Sequence, residues 1–272
     1  MDYKQYLEMI LIYGLDVTTR NLKTKEILGL QIIPKAELYS APSRSLVNNS
    51  KAAKYVLEEL VWYLNGSLKA KDIEHASQFW NRLADEDGNI NSNYGYITIW
   101  RELPEYTTEK TGLNAGITTG INWVIDELRM DASSRKAIIM YNTPDYYYNQ
   151  NKDFVCTISQ QFFIRQEKLY TIVNIRSSDA IRGLSFDIPW WSFLSQIIAN
   201  TLGVEYGQMI INIGSGHIYK EHYTLVHEMI QGNWLYYNLK TDLTLTDVKC
   251  GMPWTLDKLK QRITITKQNN GE

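Results

Sequence analysis

Residues 154–177 constrain the fold more than any other part of the chain. They hold two runs rich in β-branched and aromatic residues, "FVCTISQQFFIR" (154–165) and "KLYTIVNIRS" (168–177), which meet at the polar stretch "QEK". Two such runs with so short a connection predict an antiparallel hairpin. Further strand character lies at 136–141 ("KAIIMY") and 207–214 ("GQMIINIG"). Helical spacing puts Val56, Leu60, Tyr63 and Leu64 on one face of 51–65, behind Ser50 as N-cap. It does the same for Ile121, Val124, Ile125 and Leu128 in 117–130. Residues 190–202 and 219–231 also read as helices, the first more deeply buried. Helices and strands mix without strict alternation, which predicts an α+β fold and not a doubly wound parallel sheet. No internal repeat or low-complexity linker divides the 272 residues, so one domain over 1–272 is expected. "YYYNQNKD" (146–153) reads as a loop, and the C-terminal "TKQNNGE" as a frayed end.

Charge narrows the function. A net charge of −2 argues against a general nucleic-acid binder, yet leaves room for a local basic pocket that holds one phosphate. The two cysteines, Cys156 and Cys250, have neither disulfide-framework nor metal-ligand spacing, so no metal is expected. The N-terminal "MDYKQYLEMILIYGLD" lacks a signal-peptide layout, and no apolar run reaches the length of a membrane span. A reduced, cytoplasmic setting without a membrane partner is the expectation. With 19 tyrosines and 8 tryptophans, the interior should be rich in aromatic rings.

Several residues are candidates for chemistry. Asp187 sits among Phe186, Ile188, Pro189, Trp190 and Trp191, where a carboxylate needs a partner or must keep its proton. Glu59 falls at i+3 of the apolar set Val56, Leu60, Tyr63. This spacing predicts a buried carboxyl with a raised pKa that can trade protons; the alternative is a partly exposed glutamate at the stripe's edge. Cys156 lies near the start of a strand, just after a loop. It is a nucleophile if a cation stabilises its thiolate, and otherwise a buried structural cysteine. Arg176, on the partner strand, is a source of that cation. It is also a ligand for a phosphate or carboxylate, unless it pairs with a core acid. "SSRK" (133–136) adds Arg135 and Lys136. "GSGHIYKEHY" (214–223) reads as a Gly-rich turn after a strand that carries His217 and Tyr219, and it matches no dinucleotide or P-loop fingerprint.

In order along the chain, these segments resemble the thymidylate synthase family. "EELVWYLNG" resembles its glutamate-bearing helix and "FWNRLADEDGNINSNYG" its folate-side segment. "SSRK" is similar to its paired cations, "VCTISQQF" to its nucleophile strand, "RSSDAIRGLSFDI" to its Arg-Ser-x-Asp and base-reading segment, and "GSGHIY" to its His-x-Tyr sugar contact. The resemblance implies an α+β domain on a mixed sheet, a homodimer packed sheet to sheet, and active sites completed by both subunits. It implies a pyrimidine nucleoside monophosphate and 5,10-methylenetetrahydrofolate as substrates. By the same resemblance, Cys156 is the nucleophile and Glu59 the general acid/base. Arg176 and Ser177 bind phosphate, with Arg135 and Lys136 donated by the partner. His217 and Tyr219 hold the sugar hydroxyl, and Gln161 belongs to the nucleotide side. Trp80, Tyr94, Asp179 and Gly183 lie in the folate-side and catalytic surroundings. Arg20 is similar to a remaining phosphate arginine, although the glycines expected after it are absent.

Three departures refine the expectation. The family carries asparagine where this chain has Asp187. An amide matches uracil, whereas a protonated carboxyl donates to N3 of cytosine and accepts from its amine. The histidine usually found after the nucleophile is Thr157. The apolar C-terminal tail is missing, since the chain ends "RITITKQNNGE". These features resemble the cytidylate-hydroxymethylating branch, best known from bacteriophages. Lys136 replaces the second arginine of the pair and leaves CMP open beside dCMP as substrate. The alternatives are a thymidylate synthase acting on dUMP, a dCMP methylase, and a silent nucleotide-binding regulator.

Overall fold

A computed structural model describes residues 1–19, 21–47, 50–103, 118–143 and 153–268. The predicted hairpin is its centre. Strand β6 (Thr157–Arg165) pairs antiparallel with β7 (Lys168–Asp179), and Gln166 and Glu167 take positive φ in the turn. The chain then crosses through helix α4 (Leu184–Leu202) to β8 (Glu205–Tyr219), which pairs parallel with β7. A parallel neighbour requires such a crossover, and the helix supplies it. Strands β1 (Leu15–Thr19), β2 (Leu22–Ile32) and β5 (Ile138–Met140) complete a six-stranded mixed sheet in the order β1-β2-β8-β7-β6-β5.

One face of the sheet is lined by Phe162, Val173, Ile175, Ile211 and Ile213 and packs on α4. Trp190, Trp191, Phe193 and Leu194 of that helix are fully buried. This fits the expected aromatic interior. Gln160 enters the same layer but is satisfied, donating to the Trp191 carbonyl and Ser195 Oγ, both at 3.1 Å. The opposite face is half-buried and carries an amide ladder across four strands. Gln31 donates to Asn212 at 2.9 Å, Asn212 to Asn174 at 3.0 Å, and Asn174 to Ser159 Oγ at 3.0 Å.

Helix α2 (Lys51–Asn65) starts as predicted, with Ser50 Oγ accepting from the Ala53 N–H at 2.9 Å. It ends at Gly66, whose φ of 62° is left-handed and closes the last turn onto Trp62 and Tyr63 carbonyls. Gly95 presses directly on the Tyr63 backbone, where a Cβ would not fit, and so the segment carrying Tyr94 lies flat on α2. Helix α3 (Gly120–Met130) packs beside β5. Among the described residues, no helix is long and apolar enough to cross a membrane.

Several boundaries differ from the sequence reading. The helix expected from residue 190 begins at Leu184, because Pro189 is accommodated inside it, where it reads locally as a breaker. The "GSGHIY" turn is continuous strand: Gly214 and Gly216 belong to β8. A Cβ at 214 would sit 2.6 Å from the Arg176 carbonyl, and one at 216 would strike the Tyr6 ring. These glycines mark close approach and not a turn. The helix expected from 219 starts as α5 at Tyr223 (Tyr223–Gln231), after a short 3₁₀ turn. The end expected to fray is partly tied down. Strand β10 (Ile263–Lys267) pairs with β9 (Leu235–Thr241), in a second sheet with β3 (Leu38–Ala41) and β4 (Arg44–Ser45). Gln268 donates its backbone N–H to Tyr236 and its amide to Lys35 and Asn238. Helices α1 (Tyr3–Tyr13), α6 (Leu245–Cys250) and α7 (Leu256–Gln261) were not predicted. Of the 146–153 loop, only Asp153 is among the described residues.

Candidate active site

Glu59 is 5% exposed, so the stripe position predicted from spacing is buried and not an edge. Its Oε1 accepts from the Tyr55 hydroxyl at 2.6 Å, and that hydroxyl accepts from the Trp80 ring N–H at 2.9 Å. Burial pushes the Glu59 carboxyl up to about 7, against the pull of the Tyr55 and Tyr63 hydroxyls. An acid with a midpoint there gives and takes a proton at neutral pH. The neighbouring Glu58 points away and meets His75 at 3.1 Å.

Asp187 lies in the first turn of α4, half-buried. Burial raises its pKa well above the ordinary carboxylate range, and the nearby Glu59 and Asp179 carboxyls raise it further. Among the described residues, none donates a hydrogen bond to its side chain. Gly183 lies one turn back, where a Cβ would stand 3.6 Å from Asp187 Oδ2. Tyr94 is buried close by. Its phenol is held well above its usual pKa by burial, and the ionisable Asp187 and Cys156 nearby raise it further. Tyr94 stacks on Tyr63 and stands edge-on to Tyr141, with ring centroids 5.7 and 5.2 Å apart. The loop before β6 is tied to the Tyr94 segment through Asp153, which accepts from both the N–H and the hydroxyl of Ser92 at 2.8 and 2.6 Å.

Cys156 is half-buried, one residue before β6 and beside an irregularity in the β6–β7 register. Such irregularities re-aim side chains at a strand's end. The Arg176 guanidinium lies 3.6 Å from its Sγ. Arg176 also donates to the Val155 and Phe154 carbonyls at 3.0 and 2.6 Å and covers the Phe154 ring at 4.8 Å. Its described acceptors are therefore carbonyls and a thiol, not a core acid. Ser177 follows on β7. Asp179 pairs in register with His217 of β8, and Tyr219 is two residues further, 5.2 Å from the His217 ring. Burial lowers the His217 pKa, opposed by Asp179.

Not every candidate is brought to this corner. Ile138 pairs with Gln161, so Arg135 and Lys136 project beyond the far half of β6, at roughly 3.3 Å per residue about 20 Å from Cys156. Both are exposed. Gln161 goes with them and donates to the Arg135 carbonyl at 2.7 Å. Within one chain, these three do not reach Cys156. Arg20 lies outside the described residues.

The family model for thymidylate synthase matches residues 1–248. The chain belongs to the thymidylate synthase family. Deoxycytidylate 5-hydroxymethyltransferase of Enterobacteria phage T4 is 29% identical over 224 residues, 77% of this chain and 81% of the phage protein. Thymidylate synthase of Bacillus mojavensis is 27% identical over 198 residues, 71% of this chain and 67% of its own. Thymidylate synthase 1 of Bacillus spizizenii is 26% identical over 231 residues, covering 81% and 79%. As a thymidylate synthase-family enzyme, the chain carries out folate-dependent one-carbon transfer to C5 of a pyrimidine nucleotide. The donor set suits a flat folate ring system. Trp80 and the 46%-exposed Phe79 form an aromatic edge. Asp179 engages one oxygen, Oδ1, with the Ile181 and Arg182 N–H groups. Among the described residues nothing donates to its other oxygen, an acceptor of the kind a ring N–H would need. The sequence reading overlooked Tyr55. Its signal was present, since Tyr55 and Glu59 are four apart on one helix and share a face.

Proposed function

We propose that this thymidylate synthase-family enzyme is a cytidylate 5-hydroxymethylase. It converts dCMP or CMP, methylenetetrahydrofolate and water to the 5-hydroxymethyl nucleotide and tetrahydrofolate. The observation that carries the reading is Asp187: a carboxyl biased towards its protonated form, unbonded among the described residues, near Glu59 and Tyr94. Cytosine presents an acceptor at N3 and a donor amine at C4. A protonated carboxyl complements that pair, and an amide complements uracil.

The mechanism follows from the ring's electronics. Cys156, with Arg176 beside its sulfur, adds as thiolate to C6 and makes C5 nucleophilic. Asp187 steadies the charge that develops at N3 with a hydrogen bond already in place. Methylenetetrahydrofolate, when bound, would supply the one-carbon unit to C5; C5 then gives up its proton, which passes through water to the departing folate amine, and tetrahydrofolate leaves an exocyclic methylene on C5. Glu59 then takes a proton from water as it attacks the exocyclic methylene on C5, and Cys156 departs from C6. Arg176 and Ser177 are proposed to hold the 5′-phosphate, and His217 and Tyr219 the sugar hydroxyl. Trp80, Tyr94, Asp179 and Gly183 are proposed to border the folate. The distance of Arg135, Lys136 and Gln161 from Cys156 supports a homodimer of 1–272 domains in which these residues serve the partner's site, with the half-buried sheet face as its contact. The setting proposed is the bacterial cytoplasm, for a cellular or phage-encoded enzyme.

Asp187→Asn tests the reading. Its preference, measured as kcat/KM for dCMP or CMP against dUMP, should shift towards dUMP by about 100-fold, the scale of a mispaired buried polar group. An unchanged preference would contradict the base-reading role.

A further inference from the structure

The bonds around Glu59 contain a residue that no role above uses. Tyr55 lies one turn before Glu59 on α2, half-buried. Its hydroxyl is 2.9 Å from the Trp80 ring nitrogen and 2.6 Å from Glu59 Oε1. An indole N–H can only donate, so it takes an acceptor position of the phenol. The phenol's single proton is thereby directed at Glu59. The ring cannot swing freely, because Phe186 of α4 stands edge-on to it at 4.9 Å, with the Arg44 guanidinium over Phe186 at 5.3 Å.

We infer that Tyr55 is a positioning residue for the one-carbon transfer: with its hydroxyl set by Trp80, it fixes Oε1 of Glu59 and turns the other carboxyl oxygen to the reacting water. The inference rests on Glu59 acting as the acid–base group of the proposed reaction. The groups facing Glu59 are Tyr55 and Tyr63 from its own helix and Asp187 from α4. Asp179 and Tyr94 in turn face Asp187. Burial raises the Glu59 carboxyl, and Tyr55 is the first of the two phenols that draw it back. Tyr55 thus fixes both where the carboxylate sits and where it titrates. It also links Trp80, on the proposed folate border, to the acid–base group through two hydrogen bonds.

The test is a direct titration of Glu59 by carbon-13 NMR of side-chain-labelled glutamate in the full chain. It compares the natural protein with Tyr55→Phe and with a protein carrying 3-fluorotyrosine at position 55, each alongside a pH profile of turnover. Removing the hydroxyl should raise the Glu59 midpoint by about one unit, the scale of one hydrogen bond to a charged group. Turnover at neutral pH should fall about tenfold, with the nucleotide KM within about twofold. The fluorinated phenol is a stronger donor of nearly the same shape and should move the midpoint down. If Tyr55→Phe does not fold, the fluorinated protein decides alone, because it loses no atom of the hydrogen bond. An unmoved midpoint would overturn the inference. The titration needs no turnover, so an enzyme that makes no hydroxymethyl product would defeat the proposed function and leave this result separately readable.

Discussion

Two carboxyl groups at α4, Glu37 packed against it and Asp187 within it, are treated in opposite ways. Glu37 has both oxygens bonded: Oε1 accepts from Ser192 Oγ and Oε2 from the Leu239 N–H, each at 3.0 Å. It joins the helix to β9. Asp187, further up the same helix, receives no hydrogen bond among the described residues. Burial raises both, and at Asp187 the Glu59 and Asp179 carboxyls add repulsion. Asp153 belongs with Glu37, since Ser92 satisfies both its oxygens. The difference separates acids whose oxygens are bonded within the fold from one that, under the proposed function, is kept for a ligand. A carboxyl withdrawn from water without a hydrogen bond costs stability, and under the proposed function the substrate's base supplies its partner.

The largest expected contrast is in activity. Glu59→Gln should lower turnover by about 10²–10⁴-fold, the usual range for a lost general acid/base, with nucleotide binding nearly intact. Glu37→Gln should leave activity per folded molecule within about threefold. A pure binding defect in Glu59→Gln would erase the contrast.

Next comes stability. Glu37→Ala strips partners from Ser192 and the Leu239 N–H and should cost about 3 kcal/mol in urea unfolding. Asp187→Ala removes no described hydrogen bond and should cost less than about 1 kcal/mol. Equal losses would place the two acids in one class.

The smallest effect sharpens the comparison through pH. Glu59 titrates at about 7 when folded and near 4.5 unfolded. The folded state therefore binds the proton more tightly, and its charged form weakens the fold increasingly as pH rises from about 4.5 to about 7. Glu59→Gln should raise stability at pH 8 by about 1–2 kcal/mol relative to its effect at pH 4, within the ceiling of about 3 kcal/mol set by the shift. Glu37→Gln, which keeps only one of the two acceptor oxygens, should destabilise at both. A Glu59→Gln difference that grows towards low pH would reverse the sign and contradict a raised midpoint.

Much of this division was legible in the sequence. Spacing on α2 put Glu59 on the buried stripe, and the apolar run around Asp187 marked it as an acid in need of a partner. The hairpin and the Ser50 cap were equally local signals. What sequence concealed depends on distant chain. Gly214 and Gly216 read as turn residues because the Arg176 carbonyl and Tyr6 that exclude a Cβ come from other elements. Pro189 hid the first turn of α4, where Asp187 sits, because tertiary packing overrides a local breaker. Tyr55 was visible by spacing but became meaningful only when Trp80 was found on its hydroxyl.

The most direct test of the central claim is the mass of the product formed with methylenetetrahydrofolate and dCMP, CMP or dUMP in separate reactions. The account predicts a hydroxymethyl group on dCMP or CMP and none on dUMP. A methyl group on dUMP would contradict it, because an enzyme that reads uracil has no need of a protonated carboxyl at position 187.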